Sequence, residues 1–178
     1  GKTSADIITF ILLTGCRWSE AAELTWNRVD LDDGSWNLPD PKNHNPVTFP
    51  LSSAARDLLK DRPRIEGNDY VFTARGKVGH VQDARFIMKS VSKLAGLRLA
   101  PHDLRRTFIA IGVNIGCEMW KLKLLTNHIS KGDVTIDHYT ETSDLRYLST
   151  EIENLASWII EQGSLASGSN VVELRGAK

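Results

Sequence analysis

The pattern of apolar and polar positions predicts a chain built mainly from helices. Residues 4–14 carry apolar side chains at helical spacing, with Ser4 at the N-cap position and Gly15 as the stop. A short amphipathic helix is predicted over residues 53–61, and another is predicted from about Gln82 to Lys93.

The clearest periodicity follows Pro101, which is well placed as the first residue of a helix. Four apolar side chains then recur every three or four positions, which predicts a core-facing stripe: Leu104, Phe108, Ile111 and Ile115. A further helix is expected from Glu118 to Leu125, ending at Thr126 and Asn127. Asparagine tolerates the left-handed conformation that closes helices, so His128 is expected on a defined turn.

Other segments have the composition of short strands and turns. LDDGSWNLPD and VTFPLS are predicted to pair around a turn as a hairpin, and Lys42 lies in or beside this hairpin. VFTARGKVGH is predicted to be a strand followed by a glycine-bearing loop, and the stretch from Ser19 to Trp26 has near-helical spacing. The predicted fold class is therefore α+β, mainly α, with a small antiparallel β-sheet.

Length and composition narrow the class of protein. The 178 residues fit one domain, and 41% apolar and 25% charged residues are typical of a globular chain. The longest apolar run, Ile7–Leu13, is too short to span a bilayer and follows no signal peptide, so a cytoplasmic protein without a membrane partner is expected. Cys16 and Cys117 form no CxxC pair, which favours reduced thiols over a disulfide or zinc site.

Charge is balanced overall but not along the chain. There are 22 basic and 22 acidic residues, whereas proteins that bind DNA through its phosphates usually carry a positive excess. From Arg85 to Arg106 the basic residues face a single acid, Asp103, and three lysines continue this trend: Lys121, Lys123 and Lys131. After Tyr139 the balance becomes acidic, so the sequence predicts one basic and one acidic region.

Chemically capable side chains are spread over more than a hundred positions: Arg17, Lys42, His102, Arg105, His128 and Tyr139. His102 and Arg105 are three residues apart on a predicted helix, so they face the same side and can share one ligand. Fixed positive charges can hold a phosphodiester, and a phenol can attack it. This set therefore suits strand cleavage through a phosphotyrosine.

Four motifs carry a family resemblance: LLTGCRWSEAAELTWNRVD, HDLRRT, LTNHIS and TIDHYT. In this order they resemble the catalytic domain of the tyrosine recombinases, also called phage integrases, over about residues 4–160. The resemblance implies that Arg17 and Arg105 clamp the non-bridging oxygens of a scissile DNA phosphate. It also implies that Tyr139 attacks phosphorus, leaving a 3′-phosphotyrosyl linkage and a free 5′-hydroxyl, while His102 receives the phenol's proton.

The resemblance assigns the remaining residues as well. Lys42 would protonate the departing 5′ oxygen as general acid, His128 would donate a hydrogen bond to the phosphate, and Glu20 would orient active-site groups. The family commonly has Leu-Gly-His where this chain has Thr126, Asn127 and His128. Asparagine can take the backbone role of that glycine. Neither a metal nor another cofactor is implied.

The resemblance also implies a biological setting, which is site-specific DNA recombination of the phage or prophage type in a bacterial cell. The expected partners are double-stranded DNA with attachment sites, one of them beside the gene, and host or phage DNA-bending proteins. The full-length protein is expected to form a homotetramer on DNA, whereas this chain alone is expected to bind DNA weakly as a monomer.

The predicted domain organisation is a catalytic domain over residues 1–162 and a flexible tail over residues 163–178. Within the tail, VVEL is expected to add as a strand to its own or a neighbouring molecule. Family members usually carry a helical DNA-clamping domain before the catalytic domain, and we expect this chain to lack it.

Several assignments stay open from the sequence. His44 lies close to Lys42, and Tyr147 competes with Tyr139 as the nucleophile. A type IB topoisomerase uses a similar residue set, and a non-catalytic DNA-binding module would keep only the basic helix. A metal site from three histidines lacks a usual ligand spacing such as HExxH: His102, His128 and His138.

Overall fold

The computed structural model describes residues 2–40, 46–128 and 141–167. Within these ranges the chain forms seven α-helices: α1 (Lys2–Thr14), α2 (Trp18–Ala22), α3 (Ser53–Lys60), α4 (Arg85–Ala95), α5 (Pro101–Asn114), α6 (Met119–Leu125) and α7 (Ser149–Ala166). Three strands form an antiparallel sheet in chain order: β1 (Val29–Asp30), β2 (Ser35–Leu38) and β3 (Val47–Pro50). Single turns of 3-10 helix span Trp26–Arg28 and Arg146–Leu148. The predicted fold class is confirmed.

Helix α1 lies at the centre of the fold and packs against α3, α5 and α7. The ring of Phe10 meets that of Trp36 in β2 edge-on, with 5.8 Å between centroids, and lies 5.5 Å from the ring of Phe72. All three side chains are buried. Since aromatic side chains bury large areas, this cluster fixes α1 against the sheet and thereby positions the residues that follow it.

Gly15 ends α1 in a left-handed conformation, with φ at 67°, as the sequence predicts. A Cβ at this position would lie 2.5 Å from Cδ1 of Phe108 on α5. Both the backbone conformation and the close packing therefore require glycine here.

Helix α1 begins earlier than predicted. It already includes Lys2, so Ser4 lies within the first turn and is not the N-cap; that prediction was wrong. The buried Arg62 holds this turn by donating to Asp6 Oδ2 at 2.7 Å and to Thr3 Oγ1 at 3.2 Å. Arg62, from a distant part of the chain, therefore stabilises the first turn in place of an N-cap side chain.

The other helices start close to their predicted positions. Helices α3 and α6 agree within one residue, and α5 begins at Pro101 as predicted. Helix α4 begins at Arg85, three residues late, where Asp83 Oδ1 accepts a hydrogen bond from the Arg85 backbone N at 2.8 Å. Helix α2 stops at Ala22 and does not continue to Trp26, because the chain turns there into a 3-10 turn.

The segment VFTARGKVGH does not form a strand of the sheet, so that prediction was wrong. Val71 N donates to Leu24 O at 2.9 Å, and the two ends of the segment are joined by an isolated antiparallel bridge, in which Val81 N donates to Phe72 O and Ala74 N donates to Gly79 O, both at 3.0 Å. Val71 and Phe72 are fully buried. The apolar residues of this segment therefore fill the core without a paired strand.

Strands β2 and β3 pair as predicted, with Trp36 opposite Phe49 and their rings stacked at 4.8 Å. A later segment lies along the edge of β3. Thr48 N donates to Ser143 O, and Leu145 N donates to Thr48 O, both at 2.8 Å. The chain that follows residue 140 is thus attached to the sheet.

Helix α7 packs against α1 and α3 and continues to Ala166. Residues 163–166, which the sequence assigns to a flexible tail, are therefore helical. Residues 168–178 lie outside the described ranges, so the strand-forming role of VVEL stays a prediction. None of the described helices is long and apolar enough to cross a membrane.

Candidate active site

Arg105 is the buried centre of the candidate site, with only 3% of its surface exposed. Its Nη1 donates to Gly15 O at 3.0 Å, and its Nη2 donates to Thr126 O. These carbonyls lie at the C-terminal ends of α1 and α6, where helix carbonyls carry partial negative charge. A buried guanidinium requires such partners, so Arg105 joins the ends of two helices to α5.

Arg17 reaches the same place from the start of α2. Its Nη1 donates to Glu20 Oε1 at 2.6 Å, and its backbone N donates to Glu20 Oε2 at 2.7 Å. Its Nη2 donates to Asn127 O at 3.2 Å. The Glu20 side chain is 11% exposed, so it is not an ordinary solvated helical acid. It holds Arg17 through both carboxylate oxygens, and the supporting catalytic role expected for it stays a prediction.

The turn after α6 receives both arginines. Asn127 adopts a left-handed conformation with φ at 47°, as predicted, and Thr126 Oγ1 donates to Leu122 O at 2.6 Å. His128 N donates to Lys123 O at 2.8 Å, which places the exposed His128 side chain directly after the turn. Sequence reasoning missed that the carbonyls of Thr126 and Asn127 bind the arginines. The left-handed asparagine before His128 was the available signal.

The site concentrates positive charge in a poorly solvated place. Burial and, to a smaller extent, the charge of Arg17 lower the pKa of Arg105 to about 10, and Glu20 acts in the opposite direction. Burial also raises the pKa of the Cys16 thiol to about 12, with a smaller contribution from Glu20. Cys16 is therefore a neutral packing residue, and Glu20 is the carboxylate that offsets the two guanidinium charges.

His102 and Arg105 differ sharply in exposure. Pro101 begins α5, so His102 is its second residue and its side chain is exposed, whereas Arg105 is buried. Their spacing of three residues still keeps both on one side of the helix. That they share one ligand stays a prediction.

Two of the predicted residues, Lys42 and Tyr139, lie outside the described residues. The rival Tyr147 is described: its hydroxyl donates to Glu141 O at 2.9 Å. Burial raises the pKa of Tyr147, and the charges of Glu141 and Glu151 raise it further. The Tyr147 phenol is thus engaged by the backbone and less readily ionised than a free tyrosine. The structure therefore brings together Arg17, Glu20, Arg105 and the turn before His128.

A basic surface adjoins the start of α5. Four basic side chains line a groove that runs from α4 to this helix: Arg85, Lys89, Lys93 and Arg98. The groove also has an apolar floor that includes Met88 and Leu99. The groove therefore reaches Pro101, the first residue of the helix that carries His102 and Arg105. Across the described ranges, no three His, Cys, Asp or Glu side chains are grouped closely enough to hold a metal ion.

The sequence is similar to known proteins over most of its length. The model of the phage integrase family matches residues 2–146. The shufflon-specific DNA recombinase of Escherichia coli is 26% identical over 162 residues, which cover 86% of this chain and 40% of that protein. The tyrosine recombinase XerC of Lactobacillus leichmannii is 28% identical over 161 residues, which cover 82% and 52%. The chain spans about half or less of the length of these relatives.

Solved structures share the fold. The integrase from mycobacterium phage Brujita superposes with a TM-score of 0.64 at 20% identity, over 87% of this chain and 52% of that one. The XerH site-specific recombinase bound to its difH substrate, in a pre-cleavage complex, gives 0.60 at 18% identity, over 93% and 47%. The family match includes the positions of Arg17, Arg105, His128 and Tyr139, and it spans most of the sequence. The chain belongs to the phage integrase family, that of the tyrosine recombinases.

Proposed function

We propose that this chain is the catalytic domain of a site-specific DNA recombinase that cleaves and rejoins strands through a 3′-phosphotyrosyl intermediate. The observation that carries the proposal is the convergence of Arg17 and Arg105 on the turn before His128. Two guanidinium groups from distant parts of the chain are fixed at one point, as binding a single phosphate requires.

The arginines supply electrostatic stabilisation in this proposal. A guanidinium carries five N–H groups, and the contacts above use two from each side chain. The remaining donors of Arg17 and Arg105 would bind the non-bridging oxygens of the phosphate and the extra charge of the pentacoordinate transition state. Because the groups are already fixed by Glu20 and by carbonyls, little reorganisation is needed during the reaction.

We assign nucleophilic attack and proton transfer to three further side chains. Tyr139 attacks phosphorus, and His102 takes its proton, since a free phenol has a pKa of about 10. Lys42 protonates the departing 5′ oxygen, and His128 donates a hydrogen bond to the phosphate. The phosphotyrosyl diester conserves the energy of the original bond, so religation requires no ATP. The hydrogen bond of Tyr147 to Glu141 O and its raised pKa support Tyr139 as the nucleophile.

DNA is the proposed partner, held in part by the basic groove beside α5. Its lysines and arginines suit phosphate contacts, and such contacts make affinity fall steeply with salt. We place the reaction on double-stranded attachment sites, with a homotetramer of the full-length protein and accessory DNA-bending proteins. Integration into a host chromosome, in the bacterial cytoplasm, is the proposed task.

Formation of a covalent adduct tests the proposal. The full-length gene product is incubated with DNA that flanks its gene, and protein-DNA adducts that survive SDS are measured, with gel shifts in parallel. The wild type and Tyr147→Phe are expected to form the adduct, and Tyr139→Phe is expected to bind DNA without forming it. Binding without any adduct would favour the non-catalytic module, and an adduct from Tyr139→Phe would identify another nucleophile.

A further pair of substrates separates recombination from relaxation. A supercoiled plasmid with one attachment site and a linear fragment with the partner site are mixed with the protein. A recombinase joins the two molecules. Relaxation of the plasmid without joining, at any protein concentration, would favour the topoisomerase-like alternative.

A further inference from the structure

The segment directly after the proposed nucleophile is tied to the sheet by several independent contacts. Ser143 and Leu145 form two backbone hydrogen bonds with Thr48 in β3. Glu141 Oε1 accepts bonds from Ser143 N at 2.7 Å and from Ser143 Oγ at 2.6 Å. These bonds order the backbone from Glu141 to Leu145, which we call the docked segment (residues 141–145).

Arg146 adds a long-range ion pair to the docked segment. Its Nη1 lies 3.2 and 3.1 Å from the two carboxylate oxygens of Asp33, in the turn between β1 and β2. Its Nε donates to the two carboxylate oxygens of Asp144 at 2.9 and 3.1 Å, and its Nη2 donates to Asp144 Oδ2 at 2.6 Å. A hydrogen bond from Ser35 and the pairing with Arg146 lower the pKa of Asp33, and the pairing with Arg146 lowers the pKa of Asp144. One guanidinium therefore fastens the docked segment to a turn that lies 113 residues away.

Chain connectivity brings this anchor close to the proposed chemistry. Tyr139 precedes Ser143 by four residues, so even an extended chain keeps their Cα atoms within about 14 Å. Lys42 follows Leu38, the last residue of β2, by the same number of residues, which sets the same limit of about 14 Å. The nucleophile and the proposed general acid are therefore both connected, by short stretches of chain, to the β2–β3 pair.

We propose that Arg146 is a positioning residue for strand cleavage, which acts by fastening the docked segment, which follows Tyr139 in the chain, to the Asp33 turn. The inference rests on the proposed function. Among the described residues, the hydrogen bonds of the Arg146 side chain go to Asp33 and Asp144, so the proposed effect on Tyr139 passes through the docked segment. A misplacement of about 1 Å at a reacting group can slow a reaction by about a hundredfold.

The side chains of Arg146 and Asp33 are 51% and 39% exposed, so their loss is expected to leave the fold intact. This makes substitution informative. Arg146→Gln and Asp33→Asn each break the long-range pair without creating a cavity. Arg146→Lys keeps the charge but loses the bidentate geometry, so an intermediate effect is expected. Arg56→Gln is the matched control, because Arg56 donates to Leu31 O at 2.7 Å in the same turn and makes no contact with the docked segment in the described structure.

The assay uses the full-length protein with its attachment-site DNA and separates binding from chemistry. For Arg146→Gln we expect unchanged DNA affinity and a single-turnover rate of adduct formation at saturating DNA that falls about tenfold or more. The double variant with Asp33→Asn should be no slower than Arg146→Gln alone, because both changes remove the same contact. Arg56→Gln should keep the wild-type rate.

Hydrogen exchange of the protein without DNA supplies a second readout. Arg146→Gln is expected to speed exchange of the Thr48 and Leu145 amides about fivefold, since these amides form the bonds to the docked segment. Any one of three results would overturn the inference: a wild-type rate of cleavage in Arg146→Gln, an equal loss of rate in Arg56→Gln, or unchanged exchange of the Thr48 and Leu145 amides in Arg146→Gln. Absence of a Tyr139 adduct from the wild type would instead refute the proposed function, and the exchange result would then describe an anchor with no catalytic role.

Discussion

Gly15→Ala is expected to destabilise the protein strongly, for two separable reasons. The residue has φ at 67°, where an L-amino acid with a Cβ costs about 1–2 kcal/mol. The added Cβ would also lie 2.5, 2.8 and 2.9 Å from three atoms of the Phe108 ring. Phe108 is fully buried, so this overpacking adds about 1–3 kcal/mol. The expected loss in the free energy of unfolding is about 2–5 kcal/mol.

Gly96→Ala separates the two contributions. Gly96 has φ at 69°, close to that of Gly15, but no side chain of the described residues beyond its chain neighbours lies within 4 Å of the position that a Cβ would take. It should therefore lose only the backbone contribution of about 1–2 kcal/mol. Urea unfolding followed by circular dichroism gives both values, and the corresponding fall in Tm for Gly15→Ala is about 4–20 °C.

A double variant tests the contact itself. Phe108→Leu removes the ring that the new methyl group would meet, so it should recover part of the loss in the Gly15→Ala background, with a coupling of about 0.5–3 kcal/mol. Equal losses for Gly15→Ala and Gly96→Ala, or additive effects with Phe108→Leu, would refute this account of the packing. Gly15 O accepts a hydrogen bond from Arg105, so Gly15→Ala should also slow adduct formation.

Three further predictions concern the site. Glu20→Gln should slow adduct formation about tenfold or more, measured at saturating DNA, because Arg17 loses its ionic partner; an unchanged rate would contradict the orienting role of Glu20. The pKa of Cys16 is raised from 9.0 to about 12, so the stability that the neutral thiol contributes is complete below pH 9 and should fall as the pH rises towards 12. Cys16→Ala should therefore reduce the fall in the free energy of unfolding between pH 9 and 10, as measured by urea unfolding. Millimolar inorganic phosphate should raise the Tm of the wild type more than that of Arg17→Gln, and equal shifts would show that the anion acts only through general salt effects.

Local signals in the sequence predict the individual elements well. Pro101 starts α5, and Asn127 adopts the left-handed conformation that its position after α6 indicates. The stop at Gly15 follows from the same reasoning. In each case the cause lies within a few residues of the effect, such as a fixed proline φ or a backbone that tolerates positive φ.

Contacts between distant parts of the chain could not be predicted in this way. Arg105 binds the carbonyl of Gly15, which lies 90 residues away, and Arg146 binds Asp33, which lies 113 residues away. Backbone carbonyls carry no mark in a sequence, so a pattern of side chains cannot reveal that they receive a guanidinium. The prediction of a strand in VFTARGKVGH was wrong for a related reason. Its β-branched and aromatic residues indicate burial, but they do not reveal whether a distant segment will pair with them in a sheet.

In the proposed function, the arginine pair explains how a chain with zero net charge would bind a phosphate. Overall charge governs long-range attraction, whereas the site depends on a local arrangement. Burial and the nearby Arg17 lower the pKa of Arg105, which means that the free protein holds this charge against an unfavourable environment. Glu20 and the carbonyls of Gly15, Thr126 and Asn127 offset the repulsion only in part. An added anion would complete the neutralisation, and it would do so most strongly where negative charge is greatest. In the proposed phosphoryl transfer that point would be the pentacoordinate transition state, so the same unfavourable pairing that weakens the free site would favour the reaction over simple binding.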